Sequence, residues 1–258
     1  MNIQTQTVSP KITGGGIFKT QVLPGVIDGL VIDFVSAKGH CLLSEPPLPG
    51  YYIVLLSLKG SALFDVRNKE YPLKGKFIAR IPYNEPYNIR IGHGEELDYL
   101  CFRKLQDSAD LRLISENHEE HSSIYIKALS DCPGYTEDIK SSKTINRMIL
   151  PEGMVPRFCM GSVETTGPDS VAEHDHPMLD QLFFGLEGCR CTINADDQEA
   201  VLTEDMMMHI PLGSKHSVSV SDGDTLAYIW MDFFFTLEGQ KYMNEQHKME
   251  GEEDLKAD

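Results

Sequence analysis

The sequence predicts an all-β protein assembled from two similar barrels, and three observations lead there. Short apolar runs recur between glycine and proline turn signals, the pattern of a sandwich or barrel. Few stretches carry a helical period. The first half of the chain is echoed in the second, as expected of a tandem repeat.

Taken in order, the apolar runs fall at 51–58, 61–66, 77–81, 97–102, 157–163, 182–186, 189–194, 206–210, 216–220 and 225–235. Turn signals separate them: Pro47-Leu-Pro-Gly50, Lys59-Gly60, Gly75, Gly167-Pro168, Gly188, Pro211-Leu-Gly213 and Asp222-Gly223. Short helices are expected over 105–116 and 237–247 only. The repeat is visible as Tyr52-Ile-Val-Leu-Leu-Ser-Leu-Lys-Gly60 against Gln181-Leu-Phe-Phe-Gly-Leu-Glu-Gly188, with the two closing glycines 128 residues apart. A hairpin follows each, then a strand ending in a proline turn, Lys76-Phe-Ile-Ala-Arg-Ile-Pro82 and Met206-Met-Met-His-Ile-Pro211. These marks divide the chain into an N-terminal barrel over 1–135 and a C-terminal barrel over 136–247, with the boundary somewhere in 125–145, a stretch that reads as a linker. The charged stretch 248–258 reads as a disordered acidic tail.

Composition narrows the function classes. The chain has 258 residues, 41% of them apolar, enough for sizeable cores. Lys and Arg total 23 against 39 Asp and Glu, a net charge of −16. Such a surface repels phosphate backbones and anionic lipid, so neither nucleic acid nor a membrane is an expected partner. No apolar run has the length of a spanning helix, and the first residues lack the basic start and apolar stretch of a signal peptide. The six cysteines form no Cys-x-x-Cys pair. Reduced thiols and a cytoplasmic location are therefore expected. Cys189 and Cys191 would share one face of a strand as small core residues.

The segment with chemistry in it is Glu173-His-Asp-His-Pro-Met-Leu-Asp-Gln181. His174 and His176 are two apart and face the same way on a strand. His216 follows the turn Pro211-Leu-Gly-Ser-Lys-His216. Imidazoles converging from adjacent strands can bind a transition metal and leave positions open for water or substrate.

These residues resemble the cupin superfamily. Its first motif is His-x-His, four residues, an acid or amide, six residues and Gly; His174, His176, Gln181 and Gly188 fit it without a gap. Its second motif is Gly, five residues, Pro-x-Gly, two residues and His. Asp205, Pro211, Gly213 and His216 fit that spacing, with Asp205 in place of the leading glycine. The resemblance implies two tandem cupin barrels of double-stranded β-helix, or jelly-roll, type. It also implies a divalent transition metal (Mn, Fe, Ni, Zn or Co) held by His174, His176, Gln181 and His216. Gln181 stands where the family usually has Glu. Asp180 is the alternative fourth ligand, but on a regular strand its side chain points to the opposite face.

In the first copy, aligning Gly60 with Gly188 puts Pro46, Leu48 and Ile53 at the positions of His174, His176 and Gln181, and counting from Pro82 as from Pro211 puts Tyr87 at that of His216. The N-terminal barrel is thus expected to lack a metal and to serve packing and dimerisation, making the protein a homo-oligomer. Two further residues are candidate catalytic groups. His209 either lines the barrel as an acid/base or packs in it. Arg157, on the strand before the metal motif, either binds an acidic group of the substrate through its bidentate fork or forms a structural contact. Trp230, Phe233, Phe234 and Phe235 are expected to pack in the core rather than form a substrate box.

The expected function is a metal-dependent enzyme acting on a small polar or anionic metabolite, of hydrolase or aminohydrolase, dioxygenase or isomerase type. Two-barrel chains with a metal in the second barrel are similar in architecture to ureidoglycine aminohydrolase, whose ligand spacing differs. The alternative is a non-enzymatic small-molecule-binding or sensing cupin. The barrel alone does not choose, because one fold hosts many reactions.

Overall fold

Alternating and continuous apolar runs fold into antiparallel sheets throughout. The computed structural model describes residues 2–9, 14–176, 178–244 and 248–249. In chain order the strands are β1 (Gln4–Thr7), β2 (Gly16–Val22), β3 (Leu30–Lys38), β4 (Cys41–Glu45), β5 (Tyr51–Val66), β6 (Lys69–Lys74), β7 (Phe77–Arg80), β8 (Tyr87–Ile91), β9 (Glu96–Leu105) and β10 (Tyr125–Ala128). They continue with β11 (Tyr135–Thr136), β12 (Ile145–Val155), β13 (Phe158–Thr166), β14 (Asp169–His174), β15 (Leu179–Gly185), β16 (Arg190–Ala195), β17 (Gln198–Thr203), β18 (Met206–Ile210), β19 (His216–Val220), β20 (Thr225–Phe234) and β21 (Lys248–Met249). Helices α1 (Ser108–Glu116) and α2 (His118–Ser122) precede β10, and α3 (Leu237–Asn244) follows β20. Asp107 caps α1, accepting from the amides of Ala109 and Asp110, while the Asp110 carboxylate accepts from the Asp107 amide.

Two units divide the chain: Val8–Asp131, and Cys132–Asp258 together with Met1–Thr7. In the first, one sheet runs β10-β7-β5-β9-β3-β2. Strand β5 is long because it turns a corner. Its first half pairs with β7 and β9, and its second half with β6 and β8. The corner is at Gly60, just after a register shift between Ser57 and Lys59. Gly60 has φ +98°, and a Cβ there would stand 1.9 Å from the Glu96 carbonyl oxygen. Only glycine fits such an approach. The barrel interior is filled by Ile53, Leu55, Phe64, Phe77, Tyr87 and Tyr99 among other buried side chains.

The second unit repeats that topology. Its six-stranded sheet runs β1-β18-β15-β20-β13-β12, and its four-stranded sheet β14-β19-β16-β17. Reading β18, β15, β20, β13 and β12 against β7, β5, β9, β3 and β2 gives the same order strand for strand. The edge strand is the difference. In the first unit β10 closes the β7 edge. In the second the corresponding edge, β18, is closed by β1 from the start of the chain. Residues 1–7, expected in the N-terminal barrel, are therefore part of the other unit, because the unpaired backbone of β18 is satisfied there.

Three further expectations need correction. The segment 125–145 is not a linker: β10 belongs to the first unit, and Cys132 and Tyr135 are buried in the second. The start of the acidic stretch is ordered, since Lys248 and Met249 pair with Thr136 and Tyr135; residues 250–258 lie outside the described residues, as do 245–247 of the expected second helix. In the repeat, Tyr87 faces Glu45 across β8 and β4 as His216 faces His174 across β19 and β14. Glu45, not Pro46, thus holds the register position of His174.

Candidate metal centre

The histidines are brought together by strand pairing. His174, the last residue of β14, lies opposite His216, the first of β19, after an irregularity that follows Val171. Gly213, at φ +70°, lets the Pro211–Ser214 turn deliver His216 onto β19. His176 follows two residues after His174. The ring centroids are 4.2 Å apart for His174 and His216, 4.9 Å for His174 and His176, and 5.5 Å for His176 and His216. One nitrogen from each of the three lies within 4.8 Å of the others. Two nitrogens on one ion at about 2.1 Å stand at most about 4.2 Å apart, so small ring rotations complete a shared coordination sphere.

The ring orientations suit ligation. His174 Nδ1 lies 2.8 Å from the Ala172 carbonyl oxygen and His216 Nδ1 lies 3.2 Å from that of Ser214. With Nδ1–H donating to these carbonyls, Nε2 keeps its lone pair. His216 Nε2 is buried without a hydrogen-bond partner. Burial lowers the pKa of His174, and burial followed by the neighbouring His174 pushes His216 down to about 4. Both are the neutral imidazoles that a metal requires.

Gln181, the third residue of β15, lies opposite Asp232 of β20 and donates from Nε2 to Asp232 Oδ1 at 2.8 Å. That bond fixes the carboxamide and leaves Oε1 buried and unpartnered. Gln181 lines a cavity together with His174 and His176. The cavity lies between the two sheets, with Val171 of β14 on one side and Phe183, Tyr228 and Trp230 on the other. Its volume is about 30 Å³, room for an ion and one or two waters. Asp180 points the other way and meets His209, whose Nε2 is 3.2 Å from Asp180 Oδ1.

The two candidate catalytic residues are not among those lining this cavity. His209 sits opposite Leu182 and Gln4 on the outward face of its strand, because β18 puts Met208 and Ile210 on the other parity. Arg157 is not on a strand. It occupies the β12–β13 turn at φ +58°, where its amide donates to Gln240 Oε1 at 2.8 Å and its Nη1 to the Phe235 carbonyl at 2.9 Å. It ties down the chain after β20. Of the aromatic cluster, Trp230 lines the cavity, Phe233 stacks on Phe158 at 4.4 Å, and Phe235 is exposed.

A polar cluster at the cavity wall is not singled out by the sequence. Tyr135 accepts a hydrogen bond from Trp230 Nε1 at 2.8 Å and another from Lys140 Nζ at 2.8 Å. Lys140 is also ion-paired with Glu137, and Lys140, Glu137 and Asp232 all line the cavity. Burial lowers the Lys140 pKa against the opposing pull of Glu137. Residues 137–140 lie in a polar run, and the isolated apolar Ile139 is the one sequence sign that it packs.

No protein-family model matches the chain, and no curated protein matches it. Solved structures do. Protein Ylba from E. coli superposes with a TM-score of 0.66 at 12% identity, over 90% of each chain. A cupin 2 conserved barrel domain protein from Leptotrichia buccalis gives 0.60 at 13% identity, over 90% of this chain and 96% of its own. This is a bicupin fold. The chain also superposes on a mutant of Bacillus subtilis oxalate decarboxylase OxdC with a TM-score of 0.64 at 10% identity, over 90% of this chain and 79% of that one. At these identities the likeness carries the fold alone. Among the described residues no helix is long and apolar enough to cross a membrane.

Proposed function

We propose that the second barrel holds one divalent transition metal ion on His174, His176, His216 and the amide oxygen of Gln181, and that the bicupin is a metal-dependent enzyme acting on a small polar or anionic metabolite. The supporting observation is the convergence of three imidazole nitrogens within 4.8 Å, with buried His216 Nε2 lacking any partner. A buried polar atom left unpaired is costly, and an ion at that point removes the cost. Four neutral donors leave the full charge on the ion, which favours oxygen ligands that are anionic. When bound, such an ion supplies Lewis-acid polarisation or activates water or dioxygen. The chain's own part is to hold the rings through Ala172 and Ser214, orient Gln181 through Asp232, and wall the centre with Phe183, Tyr228 and Trp230.

The small cavity favours a second reading, a binding or sensing role without turnover. Elemental analysis of the untagged protein and of the His174→Ala/His176→Ala variant tests the metal. About one ion per chain is expected in the first and none in the second, with circular dichroism unchanged; equal metal in the two overturns the assignment. A turnover screen over small organic acids and ureido compounds then separates enzyme from sensor.

A further inference from the structure

Lys140 is the one lysine or arginine among the residues lining the histidine cavity. Its side chain is 5% exposed. Two residues hold it. The Glu137 carboxylate pairs with it, Tyr135 OH accepts from it at 2.8 Å, and its Nζ lies 4.9 Å from the Tyr135 ring centroid. The backbone is fixed too, since Lys140 bridges Val171 and the Ala172 amide donates to the Ile139 carbonyl at 2.8 Å. Desolvation offsets most of what such an ion pair contributes to stability, so stability alone does not account for an ammonium at this wall.

Two geometric facts give it a use. The inner cavity, about 30 Å³, is too small for an organic molecule beside an ion. Glu137 and Lys140 also line a second, larger groove of about 650 Å³ bounded by residues between Gly134 and Arg147, Tyr135 among them. Lys140 therefore stands at a wall common to both spaces. Charge adds to this. With Glu137 and Asp232 ionised and Lys140 protonated the inner cavity carries one net negative charge, and a divalent ion makes it one net positive. One carboxylate balances it.

Resting on the metal reading above, we propose that Lys140 recognises the anionic group of the bicupin's ligand and that this ligand is a small monocarboxylate. The carboxylate lies between the ion and Lys140, and the remainder extends into the 134–147 groove. Glu137 is the resident carboxylate that the ligand displaces from the ammonium.

The test uses the metal-loaded full chain, isothermal titration calorimetry, and two probes of nearly equal shape, glycolate and the neutral glycolamide. Two variants are compared with the parent, Glu137→Gln and the charge-neutral pair Lys140→Met/Glu137→Gln, which leaves no unpaired buried charge. Glu137→Gln should tighten glycolate several-fold and leave glycolamide unchanged. The double variant should weaken glycolate about tenfold, the scale of one charge-assisted hydrogen bond, and leave glycolamide within about twofold. A double variant that keeps the parent's glycolate affinity overturns the proposal, because net charge alone would then explain binding; so does equal affinity of the parent for both probes. Metal content of the same samples separates the two readings. Metal present without a Lys140 effect sinks this inference alone, while a Lys140 effect without metal sinks the metal centre and the placement of the carboxylate on it, and leaves only the Lys140 contact.

Discussion

His216 is nearly sealed from water, and its neutral form is favoured in the folded chain. Its pKa is pushed down to about 4 from an ordinary 6.5, so between those values the unfolded chain binds more protons than the folded one. Stability of the metal-free protein is then complete above pH 6.5 and falls as the pH drops toward 4. The loss should be on the order of 3 kcal/mol. Thermal denaturation of chelated protein across that range measures it, and His216→Asn should flatten most of the slope. A steeper fall above pH 7 would contradict the sign. Gly161 sets a second residue-scale constraint. It lies opposite Trp230, and a Cβ on it would come within 2.3 Å of the indole. Gly161→Ala should therefore cost about 1–3 kcal/mol by overpacking, seen as a lower melting temperature and a shifted Trp230 fluorescence maximum. The chain has a single tryptophan, so the signal is unambiguous. The histidines were legible in the sequence because ligand spacing is local. Lys140 and Glu137 were not, because their use depends on which strand the 137–140 segment lies against.

Among the elements, strands with dense apolar character were readable and polar ones were not. β7, β18, β19 and β20 emerge close to the apolar runs that predict them. β2 and β6 escape because about half their residues face solvent, Lys19, Gln21, Lys69, Glu70 and Lys74 among them, and leave few apolar positions to mark an alternation. β5 was split at Lys59-Gly60, a dipeptide that reads as a turn but serves as a bend within one strand. The expected start of β13 at Arg157 fails for a related reason, since a positive φ there makes it the turn. β1 was invisible: its Gln-Thr-Gln-Thr sequence has no apolar period, and its partner is some 200 residues away. Removing residues 1–7 should strip four cross-strand residue pairs from the β18 edge. The expected cost is roughly 2 kcal/mol of hydrogen bonding, read as faster hydrogen exchange in β18 than in β7. Unchanged β18 protection would show that the strand contributes nothing.

At the scale of the whole molecule, two units share one strand order and differ in what fills them. The interior of the first is packed with aromatic and aliphatic side chains. The second opens a cavity lined by imidazole, carboxamide, carboxylate and ammonium groups. The internal repeat predicted the shared order because turn glycines and proline-ended strands recur at one spacing. It did not predict the divided ownership of the first seven residues, since the edge strand follows no repeat position. That ownership has a consequence for biosynthesis. Residues 4–7 leave the ribosome about two hundred residues ahead of the edge they cover. The N-terminal unit can close while its sibling's outermost strand still waits in solution. A gene cut between Asp131 and Cys132 would yield one complete barrel and one deprived of a strand encoded at the opposite end.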